Sequence, residues 1–173
     1  MVSLKTLITN VKTTPVSIGF LRERLPPNCD VVNYKRLRGK HRTDVFKNKR
    51  AVVILVPKKG EKMGHFVVCI PRKHHIELFS SLGGDYKSEL AALNEPTDVF
   101  DKLLGNSYIY NRTPLQSKTD YSVEDCASWV LARCFLSRLK MREFVSLFKG
   151  RVSLQNPDDI VSLMTLLHFT NLK

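Results

Sequence analysis

The chain has 173 residues, 43% of them hydrophobic and 25% charged, with a formal net charge of +12. That balance supports one packed core of domain size with little room for a second. No apolar run reaches the roughly 18–20 residues that span a bilayer, and the opening MVSLKTLITNVKTTP has no signal-peptide pattern, which predicts a soluble protein of a cell interior or a virion.

In chain order, residues 15–25 place Ile18, Leu21 and Leu25 at helical spacing, and Pro26-Pro27 stops the run. CDVVNY (29–34) reads as a short strand. The next segment, 35–50, holds eight basic residues (Lys35, Arg36, Arg38, Lys40, Arg42, Lys47, Lys49 and Arg50) against Asp44, a net +7. Such a run is either a solvated face or a polyanion contact, since clustered Lys and Arg release counterions from phosphate backbones. With only Tyr34 and Phe46 nearby, base stacking is not indicated.

AVVILVP (51–57), HFVVCI (65–70) and IELFSS (76–81) are β-branched and apolar, and the turns KKGEKMG and PRKHH join them into a predicted antiparallel meander. YKSELAAL and PTDVFDKLL read as short helices, SYIYN (107–111) as a strand and PLQSKTDYSVED (114–125) as a polar connector. CASWVLARCFLSRLK is an amphipathic helix, KMREFVSLF continues or restarts it, and NPDDIVSLMTLLHF is a last helix with Pro157 near its first turn. Strands in the middle and helices at the end predict one α+β domain over residues 1–173, with an antiparallel or mixed central sheet flanked by helices.

Four cysteines, Cys29, Cys69, Cys126 and Cys134, form neither a CxxC pair nor a metal-type Cys/His spacing, so free thiols and no metal are expected. Cys126 stands where a helix begins, behind Ser122-Val-Glu-Asp125, which has the form of a capping box. Helix-terminal N–H groups and partial positive charge stabilise a thiolate. Cys134, eight residues on, reads as core. A nucleophilic thiol needs a base, and of the five histidines His65 alone opens a strand, directly after Gly64. Gln116, ten residues before Cys126, is a candidate donor to the oxyanion of acyl transfer.

The order of these features resembles the cysteine proteases of the adenovirus-protease (adenain-like) type, related to proteases of Polinton elements and large DNA viruses and to the ubiquitin-like-protein (SUMO) proteases. Gly64-His65-Phe66 is similar to that family's Gly-His-Trp. Phe79-Ser80-Ser81-Leu82-Gly83 is similar to its Phe-Asp-Ser-Leu-Gly, and Leu115-Gln116 and Asp125-Cys126 follow in the family's order. Gly19–Pro26 and Asn156–Val161 resemble its entry segment and a late helix start, so the likeness covers most of the chain.

The resemblance implies Cys126 as nucleophile at the N-terminus of a central helix, His65 as base and Gln116 as oxyanion donor. It places Ser80 where the family has the carboxylate that orients the histidine. Asp85, just past the strand, is a second candidate for that orienting role, and Glu77 is expected on the opposite strand face. The implied function is a viral or mobile-element endopeptidase cleaving virion precursors at Gly-containing sites. The expected enzyme is a monomer in the virion and in the host nucleus or cytoplasm, with no required cofactor, no membrane contact, and DNA and a viral peptide as candidate activators. Two alternatives stand on the same fold: a SUMO-type isopeptidase, and a catalytically weak nucleic-acid-binding virion protein, which the missing carboxylate would favour.

Overall fold

In the computed structural model, which describes residues 3–14, 16–58, 64–116, 125–149 and 156–170, the β-branched segments form the centre of one five-stranded sheet. Strands β1 (Cys29–Asn33), β2 (Ala51–Pro57), β3 (Gly64–Pro71), β4 (Ile76–Ser80) and β5 (Tyr108–Tyr110) lie side by side in sequence order. The β2–β3–β4 meander is antiparallel, as its short turns require. β1 pairs parallel with β2 and β5 parallel with β4, so the sheet is mixed. The helices are α1 (Leu4–Thr13), α2 (Ile18–Arg24), α3 (Arg42–Phe46), α4 (Tyr86–Ala92), α5 (Asp98–Leu104), α6 (Cys126–Phe135), α7 (Met141–Phe148) and α8 (Pro157–Thr170).

Strand alternation sends side chains to two apolar clusters. Val53, Phe66, Val68, Ile70 and Phe79 join residues of α2, α6, α7 and α8 on one face. Val52, Ile54, Val56, Val67, Cys69 and Leu78 join Tyr34 and residues of α4 and α5 on the other. The result is the expected α+β architecture, a mixed sheet covered on both sides.

Helix α6 is central: every residue from Cys126 to Cys134 is buried. Burying Arg133 there demands a counter-charge, and Glu77 supplies it. Arg133 Nη2 donates to Glu77 Oε2 at 2.6 Å, Arg72 Nη2 donates to the same oxygen at 2.7 Å, and the Met141 N–H donates to Oε1 at 3.0 Å. Glu77 thus lies on the α6 face, as alternation predicts.

One segment differs from the sequence reading. Helix α1 was not anticipated; it buries none of its residues and is held by the Ser3 cap on the Thr6 N–H and by a 2.9 Å ion pair from Lys12 to Asp159 of α8. The basic segment folds into a 3-10 turn (Tyr34–Leu37) and the short α3.

Candidate active site

Two glycines of the site motifs have steric reasons. A Cβ on Gly64 would run into the Val56 carbonyl and come within 2.7 Å of Pro57 Cα, so only glycine lets β3 start this close to β2. Gly83 has φ +61°, and a Cβ there would lie 2.5 Å from the Thr113 carbonyl carbon. The chain after β5 therefore passes directly over the end of β4. The N–H groups of Leu115 and Gln116 both donate to the Ser81 carbonyl, at 2.9 and 3.0 Å.

This crossing fixes Gln116. The Ser81 hydroxyl donates to Gln116 Oε1 at 2.6 Å, which directs the amide NH₂, the end an oxyanion would use, away from Ser81. The preceding residue, Ser80, is clamped by Asn111: the Ser80 N–H donates to Asn111 Oδ1 at 2.8 Å, and Asn111 Nδ2 donates to the Ser80 carbonyl at 2.6 Å. The Asn111 amide thus extends the β4–β5 pairing one residue beyond its last backbone pair, Leu78 with Tyr110.

His65, 9% exposed, places Nε2 2.9 Å from Ser80 Oγ. The hydroxyl proton of Ser80 is already committed, because it donates to Glu89 Oε1 at 2.9 Å. Ser80 Oγ is therefore the acceptor toward the ring, and the Leu82 N–H also donates to it, at 3.3 Å. The ring must carry its proton on Nε2, which leaves Nδ1 as the basic nitrogen. Tyr110 donates its hydroxyl to the same Glu89 oxygen at 2.7 Å, and Glu89 Oε2 lies 3.9 Å from Nε2. Burial disfavours the imidazolium and draws His65 down from 6.5 to about 4, so the ring is neutral at pH 7. Burial and the Glu89 charge hold the Tyr110 phenol well above its ordinary value, so it remains a donor.

Cys126 is the first residue of α6 and is 8% exposed. It lies in the same apolar cluster as Phe66 and Leu115, the chain neighbours of His65 and Gln116. His65 itself faces the other side of the sheet with Val67, among Val56, Tyr86, Glu89 and Tyr110. The thiol and the imidazole thus belong to apolar surroundings on opposite faces of the sheet.

The expected cap is different in detail. Ser122 lies outside the described residues, and the Asp125 side chain makes no capping bond to the N-terminal N–H groups of α6. Its Oδ2 instead accepts the Ser162 hydroxyl of α8 at 2.8 Å. Burial raises the Asp125 carboxyl to about 7, with Asp158 nearby adding to the rise and the serine hydroxyls opposing it.

Asp85 does not reach the histidine. It is exposed at the N-cap of α4, where it accepts the Ser88 N–H at 3.3 Å. The carboxylate behind Ser80 is Glu89, one turn further along that helix. Sequence reasoning missed it because α4 meets the sheet only through tertiary packing.

The basic segment is partly neutralised. Lys35 and Arg38 face Glu95 at 3.2 and 3.7 Å, and Lys49 faces Asp30 at 3.4 Å. Arg36, Lys40 and Lys47 are exposed, and Arg42 and Arg50 are half-buried. A second basic surface comes from residues far apart in sequence. Lys73, Arg112, Arg138, Lys140, Arg142 and Lys149 line a groove of about 840 Å³ beside β5 and α7, and among the described residues its one acidic lining residue is Glu77, already bound by Arg72 and Arg133. Among the described residues no cluster of His, Cys, Asp and Glu is arranged to hold a metal, and no helix is long and apolar enough to cross a membrane.

No family model matches the chain, and no curated protein matches it. Solved structures to which the chain shows some similarity include the central domain of an uncharacterized protein, Lpg1148, from Legionella pneumophila. It shows 14% identity and a TM-score of 0.45, with 96% of each chain covered. The SUMO protease Ulp1 with its catalytic cysteine oxidized to a sulfonic acid shows 15% identity and a TM-score of 0.40, covering 97% of this chain and 78% of that one. The same protease oxidized to a sulfinic acid shows 13% identity and a TM-score of 0.37, with 93% and 77% covered.

Proposed function

We propose that the chain is a cysteine peptidase with Cys126 as nucleophile, His65 as base and Gln116 as oxyanion donor. The observation that carries the reading is the hydrogen-bond chain from His65 Nε2 through Ser80 Oγ to Glu89 Oε1, from which the tautomer of His65 follows. With Nε2–H held by Ser80, Nδ1 is the lone-pair nitrogen, and the adjacent Ser81 holds the oxygen end of the Gln116 amide. The consecutive residues Ser80 and Ser81 thus bond the proposed base and the proposed oxyanion donor, and α6 begins with a thiol.

In this mechanism Nδ1 takes the Cys126 proton, and the helix N-terminus stabilises the thiolate. The thiolate attacks the peptide carbonyl. The oxyanion is held by the Gln116 NH₂ and the Cys126 N–H. The imidazolium then returns its proton to the leaving amine, and water hydrolyses the thioester with His65 as base. The motif resemblance supports extended Gly-containing segments as substrate, in virion precursors of a virus or mobile element. Ubiquitin-like conjugates are the alternative.

The test is cleavage of Gly-Gly peptide substrates, capsid precursors and SUMO conjugates by the wild-type chain and by Cys126→Ala. The variant is expected to keep its circular dichroism spectrum and lose all cleavage; if it still cleaves, the reading is wrong. The basic groove favours a polyanion as an additional partner. A steep fall of DNA affinity with salt, weakened by Lys140→Ala and Arg142→Ala together, is the corresponding result.

A further inference from the structure

The geometry points to Glu89 as a positioning residue that acts on His65 through the Ser80 hydroxyl, a carboxylate displaced from the strand to the neighbouring helix. The inference rests on the peptidase reading and goes beyond it, since Ser80 alone has no charge to set against an imidazolium.

Ser80 Oγ has one proton and gives it to Glu89, so toward His65 Nε2 and the Leu82 N–H it is an acceptor. Were Glu89 neutral or absent, the hydroxyl could turn and donate to the ring, which would move the ring proton to Nδ1 and remove the base. Glu89 thereby selects the tautomer. It also supplies charge: Oε2 is 3.9 Å from Nε2, and both side chains are largely shielded, at 14% and 11% exposure. When the ring accepts the thiol proton, that carboxylate is the counter-charge, and no proton need pass through Ser80. Tyr110 donates to Glu89 Oε1 from the other side and holds it in place.

Among the described residues, the other groups around the ring do not compete for this role. From α4 come Glu89 and Tyr86, from β5 Tyr110, and from β2 and α5 the uncharged Val56 and Phe100. Asp85 is turned to Ser88. On the other face of the sheet, at the start of α6, Asp125 bonds Ser162.

The experiment is the pH profile of Cys126 alkylation by iodoacetamide, followed by peptide-resolved mass spectrometry so that Cys29, a half-buried thiol drawn down to about 7 chiefly by its contact with Cys134, is counted separately. It needs no substrate. Wild type should show a reactive limb below the ordinary thiol range of about 8.5 that His65→Ala removes. In Glu89→Gln the rate at pH 6 should fall ~10-fold or more while the rate at pH 10 stays unchanged, because an opposite charge at this distance moves proton affinity by roughly one to three orders of magnitude. A role confined to packing would alter both rates alike. Ser80→Asp/Glu89→Gln, which returns a carboxylate directly to the ring, should restore the pH 6 rate and also controls for misfolding. A Glu89→Gln rate at pH 6 equal to wild type overturns the role of Glu89 and leaves the dyad standing. A wild-type profile without the acid limb, or one that His65→Ala retains, overturns the dyad and this role with it.

Discussion

The Ser81 hydroxyl donates to Gln116 Oε1 at 2.6 Å. A glutamine on a polar connector is ordinarily free to rotate, and an amide can present either end. Here the backbone of the same serine accepts two N–H groups from the connector and its side chain fixes the amide's orientation. Gln116→Ala should lower kcat on a Gly-Gly peptide by ~10²–10³, the cost of losing one oxyanion donor. Ser81→Ala should cost less, and mainly in kcat, because the amide keeps its backbone anchor and loses only its orientation. Equal kcat values for Ser81→Ala and wild type would remove the oxyanion role from this arrangement.

Gly83 carries the connector over β4. Its φ of +61° and the Thr113 backbone against its missing Cβ leave an alanine both strained and crowded. Gly83→Ala should destabilise by about 1–3 kcal/mol in urea unfolding. It should also reduce alkylation at Cys126 little while reducing peptide hydrolysis strongly, because the displaced chain bears Gln116 and not the thiol. Parallel losses in both would mean that the crossing supports the whole fold and not the oxyanion side in particular.

How far the chain could be read from its residues follows the range of the interactions. The meander was visible because β-branched runs and short turns are local signals, and alternation correctly put Glu77 opposite Ser80. The position of Cys126 followed from the start of an apolar helix. Glu89 was invisible: YKSELAAL reads as a helix, but nothing in its spacing says that this glutamate reaches a serine nine residues earlier on β4. Asp85, closer in sequence to the strand, looked better placed and is spent on capping. Asn111 and Tyr110 were hidden for the same reason, since their partners Ser80 and Glu89 lie 31 and 21 residues away. The basic groove gathers charges from the β3–β4 turn, from residues after β5 and from α7, where no sequence window would collect them.

Glu77 holds two guanidinium groups and the N-terminus of α7. Arg133 is fully buried, and burial draws it down to about 10 even with Glu77 opposing that shift. Removing the carboxylate leaves a buried cation without compensation, which typically costs about 3–5 kcal/mol. Glu77→Ala should lose stability on that scale by denaturant unfolding, while Glu77→Ala/Arg133→Met, which removes both charges, should recover most of it. If the double variant is no more stable than the single one, the cost lies in the Met141 N–H and the Arg72 contact instead.

Asp125 gives the fold a pH dependence of definite sign. Its carboxyl stands at about 7 in the folded chain, against 3.8 ordinarily, chiefly because it is buried. A raised carboxyl contributes stability that is fully present below the unfolded value and is lost as pH rises through the folded value. The loss therefore falls between about pH 4 and pH 7, and at about 1.4 kcal/mol for each tenfold change in proton affinity it amounts to a few kcal/mol. Asn at this position keeps an acceptor for Ser162 and cannot ionise. Compared with wild type, the melting temperature of Asp125→Asn should hold a constant offset below pH 4, gain steadily up to pH 7 and level off above it. The same ionisation places a negative charge beside Cys126, so in the wild type it should raise the thiol's proton affinity above pH 7, and Asp125→Asn should alkylate faster there. A melting-temperature difference that is flat across pH 4–7 would mean that Asp125 titrates as an ordinary solvated carboxylate, and the faster alkylation should then be absent as well.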